Sequence, residues 1–247
     1  MEEYSDLLSE LSHPIRIKIL SLLVEKKLSF SKIMENLEDN SKSEVSRHLS
    51  RLMEHGFIQK ELPVGRKYEI TPFGLISIKI FKPIDFIFRH SSFFKNHDIT
   101  FLPNFLIREL DSLKSCQFMK GLGSIMTKIQ DFLSISVDEM WMMTDARFPF
   151  KWDAKKMNFL IPSEMLKLKD MALEHHIETK FKVGILRNVS TALVINSLRQ
   201  GLLFFPKIGE YKPDYSECII INDEKGIEFL KQIWNYFWEN SELFNNV

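Results

Sequence analysis

The chain has 247 residues, with 33 basic and 33 acidic side chains and 45% hydrophobic residues. That content is ample for a packed core and excludes wholesale disorder, and the length suits one or two domains. Apolar runs stay short, as at Ile219–Ile221, against the roughly 20 residues of a membrane helix. The first residues, MEEYSDLLSE, are acidic where a signal peptide is basic, so a cytoplasmic protein is expected. Two cysteines, Cys116 and Cys218, suggest neither a disulfide framework nor a thiolate metal cluster.

Taken in chain order, Pro14 suits a first helical turn, and Ile15, Ile19, Leu22 and Leu23 recur at helical spacing. Ser29 can cap a second helix that buries Ile33, Met34 and Leu37, and Glu38–Asp39–Asn40 is a polar break. Ser41 and Glu44 form an S-x-x-E capping box for a third helix, and Gly56 suits its C-terminal cap. Val45, Leu49, Leu52 and Met53 fall on the core face of that helix. Ser43, Ser46, Arg47 and Ser50 fall on the opposite face. Small hydroxyls and an arginine suit the major groove, where Arg is the commonest reader of guanine. Lys42 and Arg51 flank this face and can reach phosphates.

Two short strands, FIQKE and RKYEIT, joined through Pro63 and Gly65, read as a wing, with Arg66 and Lys67 placed to touch the DNA backbone or the minor groove. Tyr68 and Ile70 share one strand face and are expected in the core. Charge supports the same region. Residues 1–41 carry 5 basic and 8 acidic side chains, whereas residues 42–67 carry 6 and 3, a swing from −3 to +3. The ordered combination HPIRIKILSLL, SEVSRHLSRLMEHGFIQKE and GRKYEITPFG resembles the winged-helix domain of ArsR-like transcription regulators over about residues 10–75. The resemblance implies binding to double-stranded DNA as a homodimer on a two-fold operator. Many members of that family sense metals through cysteines ahead of the recognition element. No cysteine precedes Cys116 here, so no metal site and no cofactor are expected.

Ile78–Asp98 is rich in Phe and contains Pro83, which predicts a connecting helix broken at that proline. Its apolar residues are too many for a lone solvated helix, so a partner domain or subunit is expected to cover them. Beyond it, EMWMMTD, MNFLI, TKFKVG, TALVIN and GLLFFP read as strands, and 123–134, 163–176 and 225–239 as helices. The alternation predicts a partly parallel α/β sheet. Ligands of such sheets bind beyond the carboxyl ends of strands, which singles out Thr144, Asp145 and Arg147, with Arg187 as a second cation, as an effector site. Residues 93–243 resemble the C-terminal domain of archaeal regulators of the methanogenesis-regulatory-protein type, through Phe94, His97, Asp98, Leu102, Pro103, Arg108, Leu110, Gly209, Tyr211 and the terminal helix. That resemblance implies a phospholipase-D-like α/β half that senses a small-molecule effector.

Phospholipase-D catalysis needs H-x-K, and none of the seven histidines is followed by Lys two residues on. Adjacent His175 and His176 diverge by about 100° on a helix, unlike the i, i+4 pairs of metal sites. The expectation is a non-enzymatic, two-domain α+β regulator that makes no use of a membrane. Residues 1–75 form a winged helix-turn-helix, 76–98 connect and dimerise, and 99–247 form an α/β domain without a catalytic motif. Two rival readings are a phosphodiesterase-like enzyme recruited by the winged helix and a protein-interaction module.

Overall fold

The computed structural model describes residues 8–61, 65–148, 152–165 and 180–243. Pro63 of the expected wing turn, most of the expected 163–176 helix, and His175 and His176 lie outside them. The chain divides into two compact units, Met1–Asp85 and Phe86–Val247.

The first unit begins with a helical stretch, 8–12, followed by helix α1 (Pro14–Glu25), with Pro14 in its first turn as expected. His13 caps α1, its Nδ1 accepting a hydrogen bond from the Ile15 amide at 3.3 Å. Strand β1 (Leu28–Ser29) leads into α2 (Phe30–Glu35), capped by Ser29, whose Oγ accepts from the Lys32 amide. Helix α3 (Lys42–Glu54) starts at Ser41, whose Oγ accepts from the Glu44 amide at 3.2 Å. It ends in a Schellman motif, with Gly56 N bonded to Met53 O, Phe57 N bonded to Leu52 O, and Gly56 at φ +72°. Strands β2 (Ile58–Lys60) and β3 (Lys67–Ile70) complete a three-stranded sheet in the order β1-β3-β2. The edge strand β1 has no signal in the sequence, because two residues carry no periodicity.

Ile19, Leu23, Ile33, Leu37, Val45, Leu49, Leu52, Phe57 and Ile58 form the buried core of this unit, and Tyr68 and Ile70 pack on it. The helical spacing of the apolar residues therefore placed the core face of all three helices. Truncating a buried leucine such as Leu49 to Ala in a core of this kind costs about 2–5 kcal/mol.

Helix α4 (Pro72–Arg89) contradicts the expected break, because it runs through Pro83 without interruption. Pro83 withholds one amide from the carbonyl four residues back. That residue, Lys79, is exposed, so its carbonyl can turn to water. Thr71 caps the helix, its Oγ1 accepting from Gly74 N at 3.0 Å and donating to Gly56 O at 2.6 Å. A Cβ on Gly74 would lie 2.0 Å from Phe57 O, so the close approach of α4 to the end of α3 requires glycine there. Phe73, Ile76, Ile80, Ile84 and Phe88 form an exposed apolar stripe along α4, with Ile80 64% exposed.

The second unit opens with α5 (Ser91–Phe94) and α6 (Asn104–Ile107) and a 3-10 turn at Leu110–Leu113. Strand β4 (Gln117–Lys120) and helix α7 (Leu122–Ser134) follow, then β5 (Val137–Met143), β6 (Ala154–Pro162), β7 (Lys180–Leu186), β8 (Ala192–Asn196), β9 (Gly201–Phe204), β10 (Glu217–Ile221), α8 (Glu224–Glu239) and β11 (Glu242–Leu243). The eight strands form one sheet in the order β11-β7-β6-β5-β8-β9-β10-β4. β5, β6 and β7 are mutually parallel, and the remaining pairs are antiparallel, which makes the sheet partly parallel as expected.

Successive side chains point to opposite faces, and two apolar clusters result. Leu193, Ile195, Leu203, Ile219 and Ile221 pack with Ile227, Leu230, Ile233 and Trp234 of α8 on one face. Val194, Leu202, Cys218 and Ile220 pack with Ile125, Ile129, Phe132 and Leu133 of α7 on the other. Helices on both faces bury β8 and β9 completely, which is why those strands read as unbroken apolar runs. Cys116 and Cys218 are packing residues, and burial pushes both thiols up to about 12, where no thiolate forms near neutral pH.

Candidate nucleic-acid interface and the carboxyl edge of the sheet

On α3 the apolar residues Val45, Leu49 and Leu52 turn inward and are at most 1% exposed, which leaves Ser43, Ser46, Arg47 and Ser50 exposed on the other side. Lys42 is exposed at the start of the helix, and Arg66 and Lys67 are exposed where β3 begins. The Ser43 hydroxyl lies 3.1 Å from the capping hydroxyl of Ser41. Among the described residues, the side chains of Lys42, Arg47, Arg66 and Lys67 make no ion pair. They are cations without an ion-pair partner among the described residues, grouped on α3 and on the wing. A surface of this kind has the composition that neutralises phosphates.

Arg51 differs from these cations. Its guanidinium is ion-paired with the carboxylate of Glu10, on the helical stretch that precedes α1. Glu10 also holds Arg16, with Nε 3.2 Å from Oε2, and lies 3.8 Å from His55 Nε2. Arg16 in turn donates to the carbonyls of Glu10 at 2.6 Å and Ser9 at 2.7 Å. The Glu10 side chain is 1% exposed, so one buried carboxylate ties the leading turn, α1 and α3 together. The sequence reading missed Glu10, Arg16 and the buried His48. Arg16 falls on the same helical face as Ile19, Leu20 and Leu23, at spacings of three, four and seven, and that misplaced polar residue was the signal available.

The wing is clamped from behind. Lys27 Nζ lies 2.6 Å from Glu69 Oε2 and 3.2 Å from Glu61 Oε1, which fixes Lys27, two residues past α1, to β3 and to the residue that follows β2. Those hydrogen bonds, to Glu69 first, raise the Lys27 pKa above its ordinary value.

In the second unit, parallel pairing sets the carboxyl ends of β5, β6 and β7 on one edge of the sheet. Thr144, Asp145 and Arg147 follow β5 directly and Arg187 follows β7, so the four expected residues share that edge. Arg147 and Arg187 are exposed, whereas Thr144 is 3% exposed and Asp145 half-buried. The structure adds Tyr215. Its hydroxyl donates to Asp145 Oδ1 at 2.9 Å and lies 2.9 Å from Thr144 Oγ1. Burial pushes the phenol above its ordinary range, so it remains a donor. With its single proton committed to Asp145, Tyr215 accepts from Thr144, whose Oγ1 also receives the Ala146 amide at 3.0 Å. Thr144 and Asp145 are thus locked by an internal network, and Arg147 and Arg187 supply the exposed charge. Tyr215 lies 70 residues from Asp145, and no local pattern announced it.

Among the described residues no group of three or more His, Cys, Asp or Glu could hold a metal ion. No helix among them is long and apolar enough to cross a membrane.

Residues 13–60 match the family model described as bacterial regulatory protein, arsR family. This segment runs from the α1 cap through β2, and it is an ArsR-family helix-turn-helix. No curated protein matches the chain. Among solved structures, that of TrmBL2, described as an archaeal chromatin protein, is similar at 13% identity over 94% of each chain, with a TM-score of 0.41. The transcriptional repressor BigR from Xylella fastidiosa is similar at 22% identity over 37% of this chain and 88% of that chain, with a TM-score of 0.30.

Proposed function

We propose that this chain is a sequence-specific transcriptional regulator that binds double-stranded DNA as a homodimer. The observation that carries the reading is the exposed row Ser43, Ser46, Arg47 and Ser50 on α3, set within an ArsR-family helix-turn-helix. In this reading the row enters the major groove, and Lys42, Arg51, Arg66 and Lys67 anchor phosphates. Arg51 does so while its other side is held by Glu10. Residues 1–75 bind DNA, 76–98 connect and dimerise, and 99–247 form a phospholipase-D-like half in the cytoplasmic, non-enzymatic regulator.

The apolar stripe on α4 supports the dimer, because contiguous exposed apolar surface of this kind marks an interface. A two-fold pair places its two α3 helices about 34 Å apart, one turn of DNA. A small-molecule effector acts at the carboxyl edge through Thr144, Asp145, Arg147 and Arg187. It does so by binding one dimer geometry more tightly than another.

Fluorescence anisotropy of the full chain tests the reading, using DNA from upstream of its own gene and a scrambled duplex at two salt concentrations. The expected result is binding at least about tenfold tighter to the upstream DNA, weakening steeply with salt. An absence of binding to either duplex at low salt overturns it.

A further inference from the structure

We propose that the adjacent residues Asp214 and Tyr215 are a mechanical link that couples the turn after β5 to the helical segment in which α4 ends. The purpose of the link rests on the effector reading of that turn, but its existence and its test do not.

The two side chains engage opposite faces of the sheet. Tyr215 packs among the α7-side residues, with its ring against Phe204 and Phe148, and its hydroxyl holds Thr144 and Asp145. The Asp214 carboxylate lies 3.4 Å from Nε2 of His97, which is fully buried. Ser216 and Lys207 fix the same carboxylate, with Ser216 Oγ donating at 2.8 Å and Lys207 Nζ ion-paired at 3.5 Å. The His97 ring stacks on Phe93 at 4.0 Å and 14°, and its Nδ1 lies 3.0 Å from Phe93 O. Phe93 meets Phe118 at 4.9 Å, and Phe118 stacks under His90 at 4.3 Å. His90 follows the last residue of α4, and its amide donates to Phe86 O. Backbone bonds reinforce the path, from Asp98 N to Pro206 O, Ile208 N to Asn96 O and Asp214 N to Phe205 O.

The path from Asp145 to the end of α4 therefore runs through the Tyr215 hydrogen bonds, the peptide link between Tyr215 and Asp214, the buried 3.4 Å approach of Asp214 to His97, and packed rings. Such groups shift as a unit, because close-packed interiors transmit displacement and do not absorb it. A ligand that draws Asp145 or Thr144 away from the Tyr215 hydroxyl removes the anchor on one side of the 214–215 pair. The loss is then felt at His97 on the other side, and from there at the helix that begins at Pro72.

Hydrogen exchange of the full chain, read by mass spectrometry without any ligand, tests the link. Tyr215→Phe removes both hydroxyl contacts and keeps the ring. Asp145→Ala cuts the same link from its half-exposed side. Thr191→Val is the control, because it deletes a buried hydroxyl bond to Phe204 O at the same edge and leaves both Tyr215 hydroxyl contacts in place. The expected result is exchange at least about threefold faster in residues 93–98 as well as 144–148 in both variants. β8 and β9 stay protected in both, and residues 93–98 are unchanged in Thr191→Val. Acceleration confined to 144–148 overturns the link, and so does acceleration spread equally over β8 and β9. A failure to find any ligand at Arg147 and Arg187 would overturn the effector reading and leave this result as it stands.

Discussion

Nη1 of Arg16 lies 3.5 Å from Nδ1 of His48, on the buried side of α3. Arginine only donates, so Nδ1 is an acceptor and the histidine proton sits on Nε2. That Nε2 is buried and has no hydrogen-bond partner among the described residues. The His13 ring lies 4.2 Å away, with its own Nδ1 accepting from the Ile15 amide.

Both histidines are therefore held neutral. Burial lowers the His48 pKa, with His13, Arg16 and Arg47 adding to the shift and Glu44 opposing it. Burial lowers His13 as well, helped by Arg16, Arg47 and Arg51 and again opposed by Glu44. Glu10 and His55 complete the ionisable groups around the cluster. His90 shifts the same way, through burial and Arg89. Because the folded-state values are depressed, the stability these groups contribute is full above the unfolded value of about 6.5. It is lost as pH falls toward the folded values. Thermal unfolding at a series of pH values should show the midpoint falling by several degrees below about pH 6.5. His48→Gln should flatten that slope, whatever it does to the midpoint itself. An unchanged slope would remove His48 from the account.

Among the described residues Glu10 is the carboxylate that pairs with both Arg16 and Arg51. Glu10→Ala leaves the Arg16 guanidinium buried without its counter-ion, an arrangement that costs about 3–5 kcal/mol. Arg51→Ala removes a partner whose side chain is 48% exposed and leaves the Glu10–Arg16 pair intact, so about 1 kcal/mol is expected. Urea unfolding of the two variants should rank them in that order. Equal losses would mean that Arg51, and not Arg16, is what Glu10 holds.

These relationships also show which parts of the molecule the sequence made legible. The helix-turn-helix was legible because its signals are local. Ser41 caps three residues ahead, Gly56 closes the Schellman turn, and Val45, Leu49 and Leu52 repeat within one helix. Strands β5 to β9 were legible as apolar or alternating runs. The edge strand β4 and its neighbour β10 were not read as strands. β10 is a short run after a turn, and β4, a four-residue stretch, becomes a strand only by pairing with a segment 97 residues away at Glu217 and Lys120. Polar networks were the least legible part. Glu10 meets Arg51 across 41 residues and Tyr215 meets Asp145 across 70, distances at which sequence pattern carries no information. The expected break at Pro83 failed for a different reason. A proline removes a hydrogen bond from a helix, but the helix ends only where nothing else holds it, and the buried Ile78, Pro83 and Phe86 hold this one.

The stripe on α4 makes the dimer testable. Ile80 is 64% exposed near its middle, so Ile80→Asp removes no buried contact within the chain. It should convert a dimer to a monomer in sedimentation velocity at micromolar concentration and leave the unfolding midpoint of the monomer near its original value. DNA affinity should fall with it, because each half-site then binds alone. A monomeric wild-type chain, or an Ile80→Asp variant that remains dimeric, would move the interface elsewhere.

Arg47 and Arg66 separate reading of sequence from attachment to the backbone. Arg47 stands between Ser46 and Ser50 on the exposed face of α3, where its planar fork can meet both acceptors of a guanine edge. Losing one such contact costs about 1–3 kcal/mol on the preferred site and far less on scrambled DNA. Arg47→Ala should therefore reduce the ratio between the two affinities by about tenfold or more. Arg66 is exposed just before β3, at the base of the wing, with no ion pair among the described residues. Phosphate carries no sequence information, so Arg66→Ala should weaken binding to both duplexes alike and lower the salt slope by about one unit. Anisotropy titrations at several salt concentrations measure both quantities together. A ratio unchanged by Arg47→Ala would take Arg47 out of the groove, and a ratio that collapses in Arg66→Ala would put the wing there instead.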